Sequence, residues 1–333
     1  MIRRPALRGA LLAGAALAAL AASLQPSLPA TSAVYDLMLV VDITGSMMAR
    51  DYTLDGAPAS RLDKLRFALP RLLEHLPCGS RVGLSIFSER RSFVLFDPVE
   101  VCENFDPVTR AIQALDWRMA WEGDSYVLRG LSTALETARG RDYGLVFFTD
   151  GQQAPPLSEA QMQMREAPPK GVAGMVIGVG GDALVPIPKF DDLGNETGFY
   201  QPADVPQAAR GWTAPIGAPV SAAPADMHRH PRRDSPGRPQ TGTEHLTRVH
   251  HGALRAHAEA LGLGYAHLAP DADLGRLVTE HFDGRAVVVT RDVAPWLGWA
   301  CLALIALAYG WRFVPARRLA RVPSPRPTGN LDV

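Results

Sequence analysis

The chain has 333 residues with 34 basic and 34 acidic side chains and 47% hydrophobic residues, which supplies a full core and leaves no net charge to gather phosphates or an acidic partner. Clustered basic charge is confined to the neighbourhood of the two termini and one linker, so nucleic-acid binding is not expected. Cys78, Cys102 and Cys301 make neither a disulfide scaffold nor the close pairs of a zinc ribbon.

Arg3, Arg4 and Arg8 precede an alanine- and leucine-rich run from Gly9 to about Leu24, and small residues follow at Thr31, Ser32 and Ala33. Residues 1–33 read as a secretory signal, with an uncleaved anchor as the alternative; either way the next domain is exported. Leu37 to Val41 is a short apolar run with β-branched residues, a buried strand that ends in Asp42. Thr44 and Ser46 follow at alternate positions, with Gly45 between them to let the backbone turn. Hydroxyls and carboxylates of this kind suit a hard cation, magnesium, calcium or manganese, and not zinc or copper.

Arg61 to Leu76 has helical apolar spacing at Leu62, Leu65, Leu69, Leu72, Leu73 and Leu76. Val82–Phe87 and Phe93–Phe96 read as strands joined by the charged turn Glu89, Arg90, Arg91, and helices are expected near Pro107–Leu115 and Val127–Ala138. Gly144–Phe148 is a buried strand running into Thr149, Asp150 and Gly151; Val172–Val179 is another, ending in Gly180 and Gly181. A proline-rich insertion over about 202–243 interrupts the pattern without ending the domain, and helix His245–Leu261, strand Gly264–Leu268 and helix Leu274–Phe282 follow. The expected fold is α/β, a doubly wound, mainly parallel sheet with helices on both faces across residues 34–283.

Ala294–Val314 is an apolar run of membrane-spanning length with Trp296, Trp299, Tyr309 and Trp311 near its ends. Arg312, Arg317, Arg318 and Arg321 crowd its far side, so the positive-inside rule puts the tail, 315–333, in the cytoplasm and the main domain in the periplasm of a bacterial cell, anchored to the inner membrane.

In a doubly wound sheet, ligands bind where the carboxyl ends of the strands converge, and both Asp42 and Asp150 stand at such ends. Gly123-Asp124-Ser125, just before a helix, is well placed to add a neutral oxygen. Together, Asp42-Ile43-Thr44-Gly45-Ser46, Ser125 and Thr149-Asp150-Gly151 resemble the metal-ion-dependent adhesion site of a von Willebrand factor type A (VWA) domain, with Thr44 in place of the first Ser and Ser125 in place of the Thr. Both departures keep a hydroxyl. The resemblance implies that Thr44, Ser46 and Ser125 contact a divalent cation, Mg2+ or Ca2+, that Asp42 and Asp150 act directly or through water, and that a partner protein's Asp or Glu fills an open position.

Gly178-Val179-Gly180-Gly181 and Val185-Pro186-Ile187-Pro188 are similar to the bacterial membrane-anchored group encoded with MoxR-type ATPases. Ala49-Arg50-Asp51-Tyr52, Phe96-Asp97-Pro98-Val99-Glu100-Val101-Cys102 and Asp116-Trp117-Arg118-Met119-Ala120-Trp121-Glu122 resemble the L subgroup of accessory proteins from the methanol-oxidation cluster. That likeness implies a maturation role for periplasmic methanol dehydrogenase, in assembly or calcium insertion, with the dehydrogenase, another accessory protein or a cytoplasmic MoxR-type ATPase as partner.

Trp117, Arg118, Trp121 and Glu122 either form a partner-gripping rim near Ser125 or pack their loop onto the domain. Cys78 and Cys102 either pair in an oxidising periplasm or stay as separate buried thiols. The basic run His228, Arg229, His230, Arg232 and Arg233 reads as solvated linker, and His250 and His251 receive no role. The expected function is a non-enzymatic, metal-dependent binding module. The alternatives are a general envelope scaffold or stress protein and, with no His or Lys tied to the site as a general base, a metal-assisted hydrolase.

Overall fold

The computed structural model describes residues 4–120, 124–154, 171–191, 193–205 and 242–310, in two units, 32–287 and 1–31 with 288–333. Trp121, Glu122, the basic run near His228, Trp311 and the tail arginines lie outside the described residues.

The larger unit is built on a six-stranded sheet of β2 (Asp36–Asp42), β5 (Arg81–Ser88), β6 (Arg91–Glu100), β7 (Gly144–Thr149), β8 (Gly174–Val179) and β13 (Gly264–Leu268), in the order β13-β8-β7-β2-β5-β6. The first five strands in that order are parallel and β6 is an antiparallel edge. β2 and β7 are buried on both faces, which is why they read as continuous apolar runs with no alternation. Side chains of opposite parity point to opposite faces, so Leu37, Leu39 and Val41 enter one core and Met38 and Val40 the other.

The first core is closed by α2 (Arg61–His75), α3 (Phe105–Gln113) and α6 (Leu274–His281); the second by α4 (Val127–Ala138) and α5 (His251–Leu261). α2 begins at a capping box in which Ser60 and Asp63 exchange side-chain-to-backbone bonds, which fixes where the helix starts. Small hairpins, β3 (Tyr52–Leu54) with β4 (Ala57–Ala59) and β10 (Pro188–Phe190) with β11 (Glu196–Phe199), and the pair β9 (Val185–Pro186) with β12 (Leu246–Thr247), decorate the loops.

Two element boundaries differ informatively from expectation. β6 runs from Arg91 to Glu100 instead of Phe93 to Phe96, since pairing with the long β5 carries it past the apolar segment. The helix expected from His245 starts only at His251, because the backbone before it is taken up elsewhere: Leu246 and Thr247 pair with β9, Val249 N–H donates to Gly181 O and His250 N–H to Asp150 O.

Cys78 and Cys102 form a disulfide, Cα–Cα 5.3 Å, joining the chain after α2 to the chain after β6. Cys301 is a free cysteine on the C-terminal helix.

The smaller unit contains α1 (Arg4–Ser23) and α7 (Ala294–Gly310), which pack together. The Arg8 guanidinium lies 4.5 Å over the Tyr309 ring, and Gly14 faces Leu304, so the two helices run antiparallel. Ala6–Ser23 is long and apolar enough to cross a membrane, with mean hydropathy 1.6, whereas α7 spans 17 described residues.

Candidate metal centre

Parallel β2 and β7 are neighbours, so their ends bring Asp42 and Asp150 to the same sheet edge, and both side chains are fully buried. Asp42 Oδ1 accepts from the Thr44 amide at 2.9 Å and the Thr44 hydroxyl at 2.7 Å, while Oδ2 accepts from Thr149 Oγ1 at 2.6 Å. Thr44 leads into a 3-10 turn, Gly45–Met48, whose tightness sets Ser46 Oγ 3.5 Å from Thr44 Oγ1. Ser125 is held through its backbone, with N–H to Ala154 O at 2.6 Å and C=O from Ala154 N–H at 3.0 Å. Its hydroxyl is buried and, among the described residues, has no hydrogen-bond partner.

Burial pushes the Asp42 carboxyl up, the neighbouring Asp150 charge pushes it further, and hydrogen bonds from Thr149 and Thr44 only partly oppose this, leaving it at about 7. Two carboxylates enclosed together in this way call for compensating positive charge. Asp150 obtains part of it from Arg61: Oδ2 receives Arg61 Nη1 and, at 3.0 Å, the Thr247 hydroxyl, while Oδ1 takes the Gln152 amide at 3.0 Å.

The fifteen-residue helix α2 places Arg61 at its first position, fully buried. Its other nitrogens hold Asp51, with Nη2–Oδ2 at 2.7 Å, and Asp51 in turn accepts the Gly181 amide at 2.8 Å. Tyr52 stands beside it, donating to Leu268 O at 2.5 Å and accepting from Gly180 N–H at 2.9 Å. The Ala49-Arg50-Asp51-Tyr52 segment therefore ties the site to the Gly180–Gly181 turn. At Gly180, φ is +127° and a Cβ would meet the Arg61 guanidinium at 2.6 Å, so only glycine fits.

Of the expected rim, Trp117 and Arg118 are described. Trp117 stacks on Phe190 with ring centroids 4.6 Å apart, so its ring packs the loop onto β10. Arg118 is exposed and bound to Asp116 at 2.9 Å. Sequence reasoning missed Arg61 and Thr247 as site residues, and placed Thr149 in the motif without giving it the role of donor to Asp42. A signal existed for Arg61, which lies in phase with the apolar stripe of its helix, four residues before Leu65 and eight before Leu69. Nothing local marks Thr247, which reaches Asp150 from the far side of the long insertion.

Strand order, the two-faced helix arrangement and the loop constellation coincide with a match of residues 37–153 to the von Willebrand factor type A domain. The chain has the VWA fold. All five residues expected to face a cation fall inside the matched segment. Similar solved structures include an aerotolerance-related membrane protein from Bacteroides fragilis (14% identity, 74% of this chain and 98% of that one, TM-score 0.46) and the conserved hypothetical protein BatB from Bacteroides thetaiotaomicron (15%, 74% and 96%, TM-score 0.44). A third is the manganese-loaded TRAP protein of Plasmodium vivax (11%, 80% and 82%, TM-score 0.38). No curated protein matches the chain.

Proposed function

We propose that this VWA domain is a non-enzymatic docking module that binds an acidic side chain of a partner protein through a divalent cation. The observation that carries this reading is Ser125 Oγ, a buried hydroxyl without a hydrogen-bond partner among the described residues. A buried polar atom in that condition calls for a ligand, and the buried Asp42 and Asp150 supply the negative charge a cation requires. Thr44 and Ser46 offer further lone pairs, since the Thr44 hydroxyl spends only its proton on Asp42. The set is all oxygen, which fits Mg2+, Ca2+ or Mn2+. When bound, such a cation would offer an open position to a carboxylate of the partner.

The antiparallel pairing of α1 with α7 supports attachment to a bacterial inner membrane. It puts Arg8 and the end of α7 that precedes Arg312 on the same side, so both arginine-rich flanks fit one cytoplasmic face and the domain fits the periplasm. On this reading α1 is a retained anchor, and the intact mass of the purified membrane protein should include residues 1–33.

Within this class, the sequence resemblance favours a maturation factor for periplasmic methanol dehydrogenase over a general envelope scaffold. The test is a strain carrying Asp42→Ala, scored for growth on methanol and for calcium in the purified dehydrogenase. Loss of both is expected; normal growth with full calcium would refute the metal-dependent maturation role.

A further inference from the structure

Arg61 stands with Phe87, Phe147 and Phe148 among the largest fully buried side chains of the described residues, and two features of its position are unfavourable to a cation. It is removed from water, and it occupies the first turn of a helix, where the free amides already present positive charge. Its retention there requires compensation, and the site supplies it: Asp51 on one edge of the guanidinium, Asp150 on the other, with Thr247 Oγ1 at 2.9 Å and Ser46 O at 3.4 Å completing the fork. Burial acts against the protonated guanidinium, but the two carboxylates outweigh it and push its pKa up from the usual arginine value.

Two consequences bear on any cation that shares this cavity. The first concerns lone pairs. Oδ2 of Asp150 already accepts Arg61 and Thr247, whereas among the described residues Oδ1 accepts only Gln152 N–H, so Asp150 can turn one oxygen and not two toward a further ligand. The second concerns charge. Asp42, Asp51 and Asp150, when ionised, carry three negative charges against one on Arg61, a deficit that a divalent cation closes. Removing Arg61 would leave three negative charges and free the second oxygen of Asp150.

We propose that Arg61 is a resident cation of this centre that neutralises Asp150, restricts it to one available oxygen, and so tunes the site to weak, readily reversible divalent-cation binding on a scaffold assembled before the ion arrives. Arg61 is a positioning and affinity-setting residue, and the proposal rests on the metal reading given above. It implies that docking would respond to the divalent-cation concentration of the compartment.

The test is Mn2+ titration of the full-length protein in detergent, with free Mn2+ counted by electron paramagnetic resonance. Arg61→Gln should bind Mn2+ at least tenfold more tightly than the wild type, since a like charge next to the ion's own carboxylate is gone. Arg61→Lys, which keeps the charge, should remain near the wild-type value. If Arg61→Gln does not fold, Asp51→Asn/Arg61→Gln removes the buried pair together; its net charge equals that of the wild type, so it should bind Mn2+ more tightly than the wild type but by less than Arg61→Gln, through the freed Asp150 oxygen. Unchanged or weaker binding in a folded Arg61→Gln or double variant overturns the proposal while leaving the metal site standing. Failure of the wild type and of every Arg61 variant to bind Mn2+ overturns the metal reading, and this inference with it.

Discussion

Replacing Asp42 by Asn separates the demands of stability from those of cation binding. In the folded protein burial and the Asp150 charge raise the Asp42 carboxyl to about 7 from its ordinary 3.8. Between those values the folded state holds a proton that the unfolded chain has released, so this contribution is fully present below 3.8 and is lost as pH rises towards 7. A rise of that size corresponds to about 4 kcal/mol of destabilisation at pH 8 in the absence of cation. Asn keeps the shape and still accepts from Thr44, but its amide group faces Thr149. That hydroxyl already accepts the Gly151 amide at 3.0 Å and must turn to accept again, which costs about 1 kcal/mol for the bond its own proton loses. Asp42→Asn should therefore stabilise the cation-free protein at pH 8 by about 3 kcal/mol, with little gain at pH 5. The assay is urea unfolding in chelator at both pH values. Comparing variant with wild type removes the contribution of His250 and His257, whose pKa values burial lowers and which strengthen the fold as pH rises. A difference that does not change with pH, or a variant less stable at pH 8, would refute the account of Asp42. Added Mn2+ should stabilise the wild type and not the variant.

Ser125→Ala removes a hydroxyl that has no hydrogen-bond partner among the described residues, so urea unfolding in chelator should shift by less than about 0.5 kcal/mol while Mn2+ affinity falls. Replacing Cys78 and Cys102 by Ala opens a loop with a sequence separation of 24, and loop entropy puts the loss at about 3.5 kcal/mol, measurable by thermal or denaturant unfolding. Gly130→Ala would set a Cβ 2.1 Å from the Phe87 ring in the core between α4 and the sheet, and overpacking there should cost about 1–3 kcal/mol in the same unfolding assay.

The strands that carry Asp42 and Asp150 are legible because burial on both faces leaves a local mark, an unbroken apolar run ending at a polar residue. Helices α2 and α4 are legible through their spacing, and the oxygen ligands through their position just past a strand or just before a helix. Local pattern thus determines the α/β class, the sheet edge that carries the site, and the chemistry the site offers. What only the tertiary structure decided is how that chemistry is balanced. Thr247 lies 186 residues from Arg61 and 97 from Asp150, yet it bonds to both; the start of α5 is set by backbone groups spent on Gly181 and Asp150. Such pairings depend on which loops the sheet order brings together at one edge, and no periodicity in the intervening chain encodes them. The sequence names the carboxylates; the fold supplies the buried arginine that holds one of them.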